Sequence, residues 1–258
     1  MTLYNEARAN DGLAPLYSSA DIYHHASGLN PYRYPNIDYY SSDYIRKMYA
    51  RHEAIAEISG GGKLARFYSN INYYRSGDYF KFGEARNNHV SRFSVRGNVD
   101  VNISDDIKAW VNSNATFYDS STAKGDYWGV ASTMRPNFPQ NAYPLIPKDM
   151  VDPHAKAAWD LLGVAKLIDD KYFLAGSQAN ASSLFGDIYA AGKRKWTSRQ
   201  FQFDTGLNIG LGKVLPGLSF ETRFAVDYAT AYTTSFDNSY AVYIPTWSHH
   251  NGKDVIVG

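Results

Sequence analysis

The chain of 258 residues contains no cysteine, which excludes disulfide bonds and thiolate metal sites. No run approaches the roughly 18–20 apolar residues that a membrane-spanning helix needs, and the mean hydropathy is −0.43. The formal net charge is only +1, so no nucleic-acid partner is expected, since phosphates call for a concentrated basic surface. The missing apolar helix does not exclude membrane insertion, because strands of a membrane barrel turn half of their side chains away from lipid.

Aromatic residues and glycine are abundant instead. Aromatic residues make up 16% of the sequence, with 22 tyrosines, and there are 20 glycines. This mixture suits strands, turns and side chains at a membrane interface better than it suits helices.

The clearest pattern is an alternation of apolar and polar residues over residues 89–118. Its two arms are separated by Ser104-Asp105-Asp106, and it predicts a β-hairpin with one apolar and one polar face. Each arm alternates for about a dozen residues, whereas soluble strands typically have about 5–6 and a tilted strand that crosses a bilayer needs about 9–11. The length favours a membrane barrel, whose lipid-facing side chains would include Phe93, Val99, Val101, Ile107, Val111 and Phe117.

The same alternation predicts four further strands, at residues 53–58, 65–73, 201–211 and 218–232. Connections between the strands alternate in length. Short turns fall at residues 60–62, 104–106 and 212–217, and longer connections at 75–88, 119–193 and after 232. Transmembrane barrels have short periplasmic turns and long extracellular loops, whereas a β-sandwich does not require connections that alternate in length.

These patterns predict an all-β fold, a partial antiparallel transmembrane β-barrel of about six strands with helical and irregular extracellular loops. We expect a helical and irregular lead-in, a set of barrel strands, a long extracellular loop, and further strands with the start of the next loop. The corresponding residues are 1–51, 52–118, 119–193 and 194–258. Helices are expected near residues 3–9, 18–25, 41–49 and 156–167, and a polar connection at 75–88.

The predicted strands are too few for a large barrel. The first twelve residues also lack the apolar core of a signal peptide, although a barrel protein must be exported. We therefore expect the chain to be a piece of a longer protein.

Several phrases of the sequence resemble the SusC/RagA-like class of TonB-dependent outer-membrane transporters of Bacteroidetes. The longest is Asn-Pro-Tyr-Arg-Tyr-Pro-Asn-Ile-Asp-Tyr at residues 30–39. Others, in the same order along the chain, lie at residues 5–7, 11–12, 58–61, 65–68, 93–100 and 134–139. The order and spacing of these phrases, more than any one of them, carry the resemblance.

The resemblance implies a barrel of roughly 22 strands in the cell outer membrane, which imports nutrients such as oligosaccharides or peptides. It also implies a plug that couples the barrel to TonB, and a SusD-like substrate-binding lipoprotein as partner. The signal peptide with its leading domain, the plug and the later strands are missing from this chain, so contact with TonB would run through the missing plug. The absence of cysteine suits a protein that crosses an oxidising periplasm unfolded.

Candidate substrate-binding residues lie in the long loop and the tail, and they are Tyr127, Trp128, Arg135, Trp159 and Trp247. Tyr240 and Tyr243 lie nearby. Aromatic faces stack on sugar rings or peptide groups, and the same residues also anchor barrel rims at the membrane interface. Charged residues on the inward face could contact a plug or line a path, or be paired within the wall. They are Arg92, Arg96, Asp100, Glu221, Arg223 and Asp227.

No catalytic residue, metal site or cofactor is predicted, and the chain is not expected to be an enzyme. Glycines at 206, 210 and 212 fall on a predicted strand with no helix after it, which argues against a phosphate-binding loop. The adjacent pairs His24-His25 and His249-His250 lack the spacing of helical metal ligands and are expected in solvated loops.

Two other classes of protein stay open. A soluble or surface carbohydrate-binding β-domain would use its apolar face as a core, and it would not depend on detergent. An outer-membrane barrel enzyme would need carboxylates and histidines clustered at the extracellular strand ends, and a hydrolase assay would reveal it.

Overall fold

One six-stranded antiparallel sheet dominates the fold. The computed structural model describes residues 1–133, 145–176 and 184–258. The sheet has the strand order β1-β2-β3-β4-β7-β8. These strands are β1 (Arg51–Gly61), β2 (Ala65–Ser76), β3 (His89–Asn102), β4 (Ile107–Ala123), β7 (Gly192–Gly210) and β8 (Ser219–Asp237). Two small antiparallel pairs lie outside it, β5 (Leu145–Pro147) with β6 (Tyr172–Leu174) and β9 (Trp247–His250) with β10 (Lys253–Ile256).

The predicted organising hairpin is confirmed as β3 and β4. Phe93 lies opposite Phe117 and Val99 opposite Val111, so the apolar residues of both arms share one face. The arms have 14 and 17 residues. The four other predicted strands are confirmed as β1, β2, β7 and β8, and the six form one mostly antiparallel β fold.

Several of the strands run further than the alternation indicated. β4 continues to Ala123 and β7 already begins at Gly192, so the connection between them comprises residues 124–191. Polar residues occupy both faces over this extension, for example Ser120 and Ser121 opposite Trp196 and Lys195. Backbone pairing therefore continues where the apolar periodicity has ended.

Short helices occur only outside the sheet in the described part of the chain. They are α1 (Thr2–Asn10), α2 (Ser19–Ser27), α3 (Tyr127–Thr133), α4 (Lys156–Val164) and α5 (Leu184–Ala190). α2 begins with a capping box, in which the Asp21 backbone N–H donates to Ser18 Oγ at 3.0 Å. Helices predicted near residues 3–9, 18–25 and 156–167 are confirmed. No helix in the described ranges is long and apolar enough to span a membrane.

The helix predicted at residues 41–49 is wrong. Only one turn forms there, with the Ile45 backbone N–H donating to Ser41 O at 3.1 Å. The backbone of Ile45 then makes a β-bridge to Phe80, and Tyr44 packs on the aromatic cluster that contains Phe80. Tertiary pairing overrides the weak local helix propensity.

The prediction that residues 75–88 form a polar connection is also wrong for the central residues of this segment. Phe80 and Phe82 are buried, and Ala85 is buried in the 3₁₀ turn Glu84–Asn87. In the sequence, charged residues surround Phe80 and Phe82, so this short buried segment was not recognised as apolar.

The hydrophobic core lies at one end of the sheet. All long connections leave the sheet at this end, whereas the short turns at residues 62–64, 103–106 and 211–218 lie at the other, which confirms the predicted alternation of lengths. At this end, the described residues outside the six strands, which are 1–50, 77–88, 124–133, 145–176, 184–191 and 238–258, form what we call the cap, which contains two clusters. The first cap cluster comprises Tyr39, Phe80, Phe82, Ala85, Tyr127 and Ile188. The second cap cluster comprises Ile146, Val151, Leu162, Phe173, Ala175 and Ile256.

Candidate functional site

The first notable surface is the apolar face of the sheet, which no other element covers in the described part of the chain. Among its exposed large side chains, the exposed fraction ranges from 37% for Leu207 to 62% for Ile58. Others on the same face and also exposed are Phe67, Ile71, Phe93, Val99, Val111, Phe117, Phe201, Phe220, Val226 and Tyr228. An uncovered apolar patch of this extent marks a surface that meets lipid or another protein.

The opposite face carries polar and charged side chains in register across all six strands. One row, which we call the polar belt, runs Glu57, Asn70, Arg96, Asn114, Gln202 and Asp227. The Asn70 amide donates to Glu57 Oε1 at 2.9 Å, and the Asn114 amide donates to Gln202 Oε1 at 3.2 Å. Part of the belt borders a hollow of about 460 Å³.

A second polar row is centred on Asp204. The Asn112 amide donates to Asp204 Oδ1 at 2.5 Å, and Arg223 forms an ion pair with the same carboxylate. Beside it the Trp110 ring lies over Gly206, where an added Cβ would stand 2.2 Å from Trp110 Cζ2. Of the six charged residues predicted to share this face, Arg223 is thus paired with another side chain of the sheet, and Arg92 lies over the Tyr74 ring at 5.7 Å from its centroid.

Two of the predicted substrate-binding residues lie at the first cap cluster: Tyr127 belongs to it, and Trp128 lies beside it, with 5.5 Å between the Tyr127 and Trp128 ring centroids. Tyr127 is only 2% exposed, and its hydroxyl donates to Tyr39 O at 2.7 Å. Burial, followed by neighbouring tyrosines and Asp38, raises the pKa of Tyr127 above its ordinary value. Trp128 is 42% exposed and lies beside Tyr40, with 5.9 Å between ring centroids. Of the two rings, Trp128 therefore offers more surface to a ligand.

Two more of the predicted residues lie against the second cap cluster. Trp159 and Trp247 both pack partly buried against it, and the Trp159 indole N–H donates to Asp152 O at 3.0 Å. The fifth predicted residue, Arg135, lies outside the described residues. The structure thus brings together Tyr127 with Trp128 and Trp159 with Trp247, in separate clusters. Their role in substrate binding stays a prediction.

A polar contact, which we call the Asp254 clasp, ties the segment after α2 to the β9–β10 hairpin. The Asn30 amide donates to Asp254 Oδ2 at 2.9 Å, and Arg33 donates to Asp254 Oδ1 at 2.9 Å. His249 Nδ1 lies 3.0 Å from Asp254 Oδ1. Burial alone would raise the pKa of Asp254, but the hydrogen bonds from His249 and Asn30 and the charge of Arg33 hold it below its ordinary value.

The sequence alone did not indicate this clasp, because Asn30 and Arg33 lie more than 200 residues before Asp254. The only local signal is the resemblance phrase that contains Asn30 and Arg33. The His24-His25 pair is less solvated than predicted, whereas His249 and His250 are exposed, as predicted. His24 stacks on Tyr34 with 4.6 Å between centroids, and His25 Nδ1 lies 2.9 Å from Pro35 O.

The described ranges hold no group of three His, Asp or Glu side chains that could bind a metal ion. Comparison of the sequence with known protein families and with curated proteins finds no match. Any functional conclusion therefore rests on the sheet, the cap and the sequence phrases themselves.

Proposed function

We propose that this chain forms part of the barrel wall of an outer-membrane transporter that resembles the SusC/RagA-like, TonB-dependent class. Its cargo would be oligosaccharides or peptides, delivered with the help of a SusD-like lipoprotein. The observation that carries the proposal is the large apolar sheet face, which none of the described residues covers. A soluble sheet would bury such a face against a second layer, whereas lipid covers it in a membrane barrel.

The height of the apolar face matches that expected of a sheet whose apolar side chains contact the interior of a lipid bilayer. Along β4 the outward apolar residues extend from Ile107 to Phe117, which is ten residue steps. At about 3.4 Å per residue and a tilt of about 45°, ten steps rise about 24 Å. The apolar band of outer-membrane barrels is about 25 Å tall.

The edge of this band near the cap also has the chemistry of a membrane interface. Tyr73, Phe93 and Phe117 form one row across β2, β3 and β4. Arg199 continues the row, lies over the Phe117 ring and pairs with Asp119 at 3.1 Å. Aromatic side chains followed by charged groups are typical of the boundary between lipid and water.

The polar face and the sheet edges suit a barrel interior and its closure. The polar belt would line the lumen, where hydrogen-bonded amides and ion pairs tolerate water. β1 and β8 are the outer strands of the sheet. An unpaired strand edge is not tolerated in lipid, so further strands would have to pair with both edges. The cap would then lie on the extracellular side, where it would meet the substrate and the lipoprotein.

Uptake measurements in cells test the proposal. We expect that deletion of the gene abolishes import of a labelled oligosaccharide or peptide, and that collapse of the proton gradient stops import in cells that carry the gene, because TonB coupling depends on it. Replacing Trp128 by Ala in the cap should reduce import. As the matched control, Asp105→Asn with Asp106→Gly keeps a turn-compatible pair at the opposite end of the sheet and should leave import unchanged.

Import that persists without the gene would refute the transport proposal. A stable monomer of the chain that dissolves in water without detergent would instead favour the soluble carbohydrate-binding class. If import tolerates Trp128→Ala but fails with the altered turn, the two ends of the sheet are assigned to the wrong sides of the membrane.

A further inference from the structure

A basic pocket lies in the cap beside the Asp254 clasp. Its volume is about 780 Å³, which is within the range of small-ligand sites. α2, the turn that follows it and the β9–β10 hairpin contribute its walls. The basic residues of its lining are His24, Arg33, His249 and Lys253. Among the described residues that line it, Asp254 is the one acid.

The charge of Asp254 is already compensated. Both of its oxygens accept hydrogen bonds, from Asn30 at 2.9 Å and from Arg33 at 2.9 Å, and His249 lies 3.0 Å away. The Asp254 side chain is 15% exposed, so little of it faces the pocket. Lys253 is exposed and adds a further positive charge. The pocket therefore presents a net positive surface to a ligand.

Arg33 is held in place before any ligand arrives. One terminal nitrogen donates to Asp254, and the guanidinium carbon lies 5.2 Å from the centroid of the Tyr34 ring. Tyr34 in turn stacks on His24, with an angle of 13° between the ring planes. A guanidinium has five N–H donors in a fixed fork, so Arg33 keeps donors for a ligand after it has bound Asp254. Preorganisation of this kind lowers the entropy lost on binding.

We propose that this pocket binds the carboxylate of a small organic acid. Arg33 and Lys253 would contact the carboxylate, and Asp254 would act as a positioning residue for Arg33. A planar carboxylate matches the guanidinium fork in shape and charge. The carboxylate can belong to an acidic saccharide or to the C-terminus of a short peptide. The pocket is built within the cap, so this inference does not depend on the transport proposal or on the sheet facing lipid.

Calorimetric titration of the full chain, kept folded in detergent, tests the proposal. The probes are trigalacturonate and trialanine, and their neutral counterparts are the methyl-esterified trisaccharide and trialanine amide. We expect at least one acid to bind and its neutral counterpart to bind much more weakly. Rising salt should weaken the binding of the acid.

Matched variants locate the site. Lys253→Gln should weaken binding of the acid about threefold to fivefold, as expected for one partly exposed ion pair. Lys63→Gln removes the same charge from a short turn at the opposite end of the sheet, and it should leave binding unchanged. Arg33→Gln should weaken binding more than Lys253→Gln does, and circular dichroism of that variant reports whether the fold is retained.

Binding of the saccharide or of the peptide supports the proposal and identifies the source of the carboxylate. Three results overturn it: equal affinity for an acid and its neutral counterpart, equal weakening by Lys63→Gln and Lys253→Gln, or no binding of either acid at millimolar concentration.

Discussion

The sheet and the cap distribute apolar side chains in opposite ways. In the cap, aromatic and aliphatic residues such as Tyr127 and Ile146 are buried in compact clusters. In the sheet, residues of the same types, such as Phe117 and Ile71, remain 42% and 44% exposed. The cap is therefore built as a water-soluble domain is built, while the sheet needs an apolar partner that the described chain does not supply. This difference supports our proposal that the apolar face of the sheet contacts lipid while the cap contacts water.

Two isoleucines, one in the cap and one in the sheet, test the difference between the two regions most sharply. Ile146 is 0% exposed in the second cap cluster, and Ile71 lies on the apolar face of β2. We expect Ile146→Ala to lower the free energy of unfolding by about 2–5 kcal/mol, because it removes buried methylene groups and leaves a cavity. Ile71→Ala should cost clearly less in lipid, since acyl chains close over the shortened side chain. Urea unfolding of both variants in lipid vesicles measures this, and equal costs would contradict the distinction between the two regions.

A charge on the apolar face should be nearly as damaging. Val99 is one of the β3 residues whose side chains form the apolar face, and its neighbour Asn98 points to the polar face. We expect Val99→Lys to destabilise the protein in vesicles by about 2–4 kcal/mol if it lies near the midplane of the bilayer. Asn98→Lys, as the matched control, should cost little because its side chain meets water. A large cost at Asn98 with none at Val99 would mean that the faces are exchanged.

The Asp254 clasp should contribute a smaller, pH-dependent part of cap stability. Asp254→Asn removes the charge that Arg33 and His249 face, and we expect a loss of about 1–3 kcal/mol at neutral pH. The pKa of Asp254 is lowered in the folded state, so its contribution is present above the unfolded pKa of about 3.9 and is lost as pH falls through the folded pKa.

Unfolding curves of wild type and Asp254→Asn should therefore converge in strongly acidic solution. A difference between the two proteins that stays constant from neutral to strongly acidic pH would show that the Asp254 charge is not responsible for it.

The ion pair at the opposite end of the sheet should contribute least. Lys213 Nζ lies 2.6 Å from Asp106 Oδ2 and joins two short turns, but both side chains are exposed. We expect Lys213→Ala to leave the unfolding midpoint unchanged, because exposed pairs gain little over their solvated state. A lowered midpoint would mean that the turns are held together more tightly than the exposure of this pair indicates.

The sequence predicted the sheet well where only one of its faces is polar. From Phe93 to Phe117, apolar and polar residues alternate every second residue, as the side chains of a strand alternate between its two faces. The alternation in the sequence therefore shows directly which side chains share a face. The extension of β4 to Ala123 could not be predicted in this way, because polar residues occupy both faces there. The turn at residues 41–49 depends on a bridge from Ile45 to Phe80, which local propensity does not describe.

The candidate site was less predictable than the sheet. Residue type alone does not tell a buried aromatic such as Tyr127 from a more exposed one such as Trp128, since both types serve in cores and in binding sites. Asn30 and Arg33, which donate to Asp254, lie more than 200 residues before it, and no periodic pattern links the three residues. Packing between residues far apart in the chain determines the burial of these side chains and the contacts of Asp254. Residue spacing in a single sequence does not predict such packing.

Single spin labels at three successive positions of β3 test the central claim most directly. In vesicles that contain the protein, a label at Val99 should be shielded from a water-soluble relaxation agent, while labels at Asn98 and Asp100 should be reached by it. Their side chains alternate between the two faces of one strand, so each label controls for the others. Equal access of the agent to all three labels, or a shielded Asn98 beside an accessible Val99, would contradict the claim that this sheet faces lipid with its apolar side.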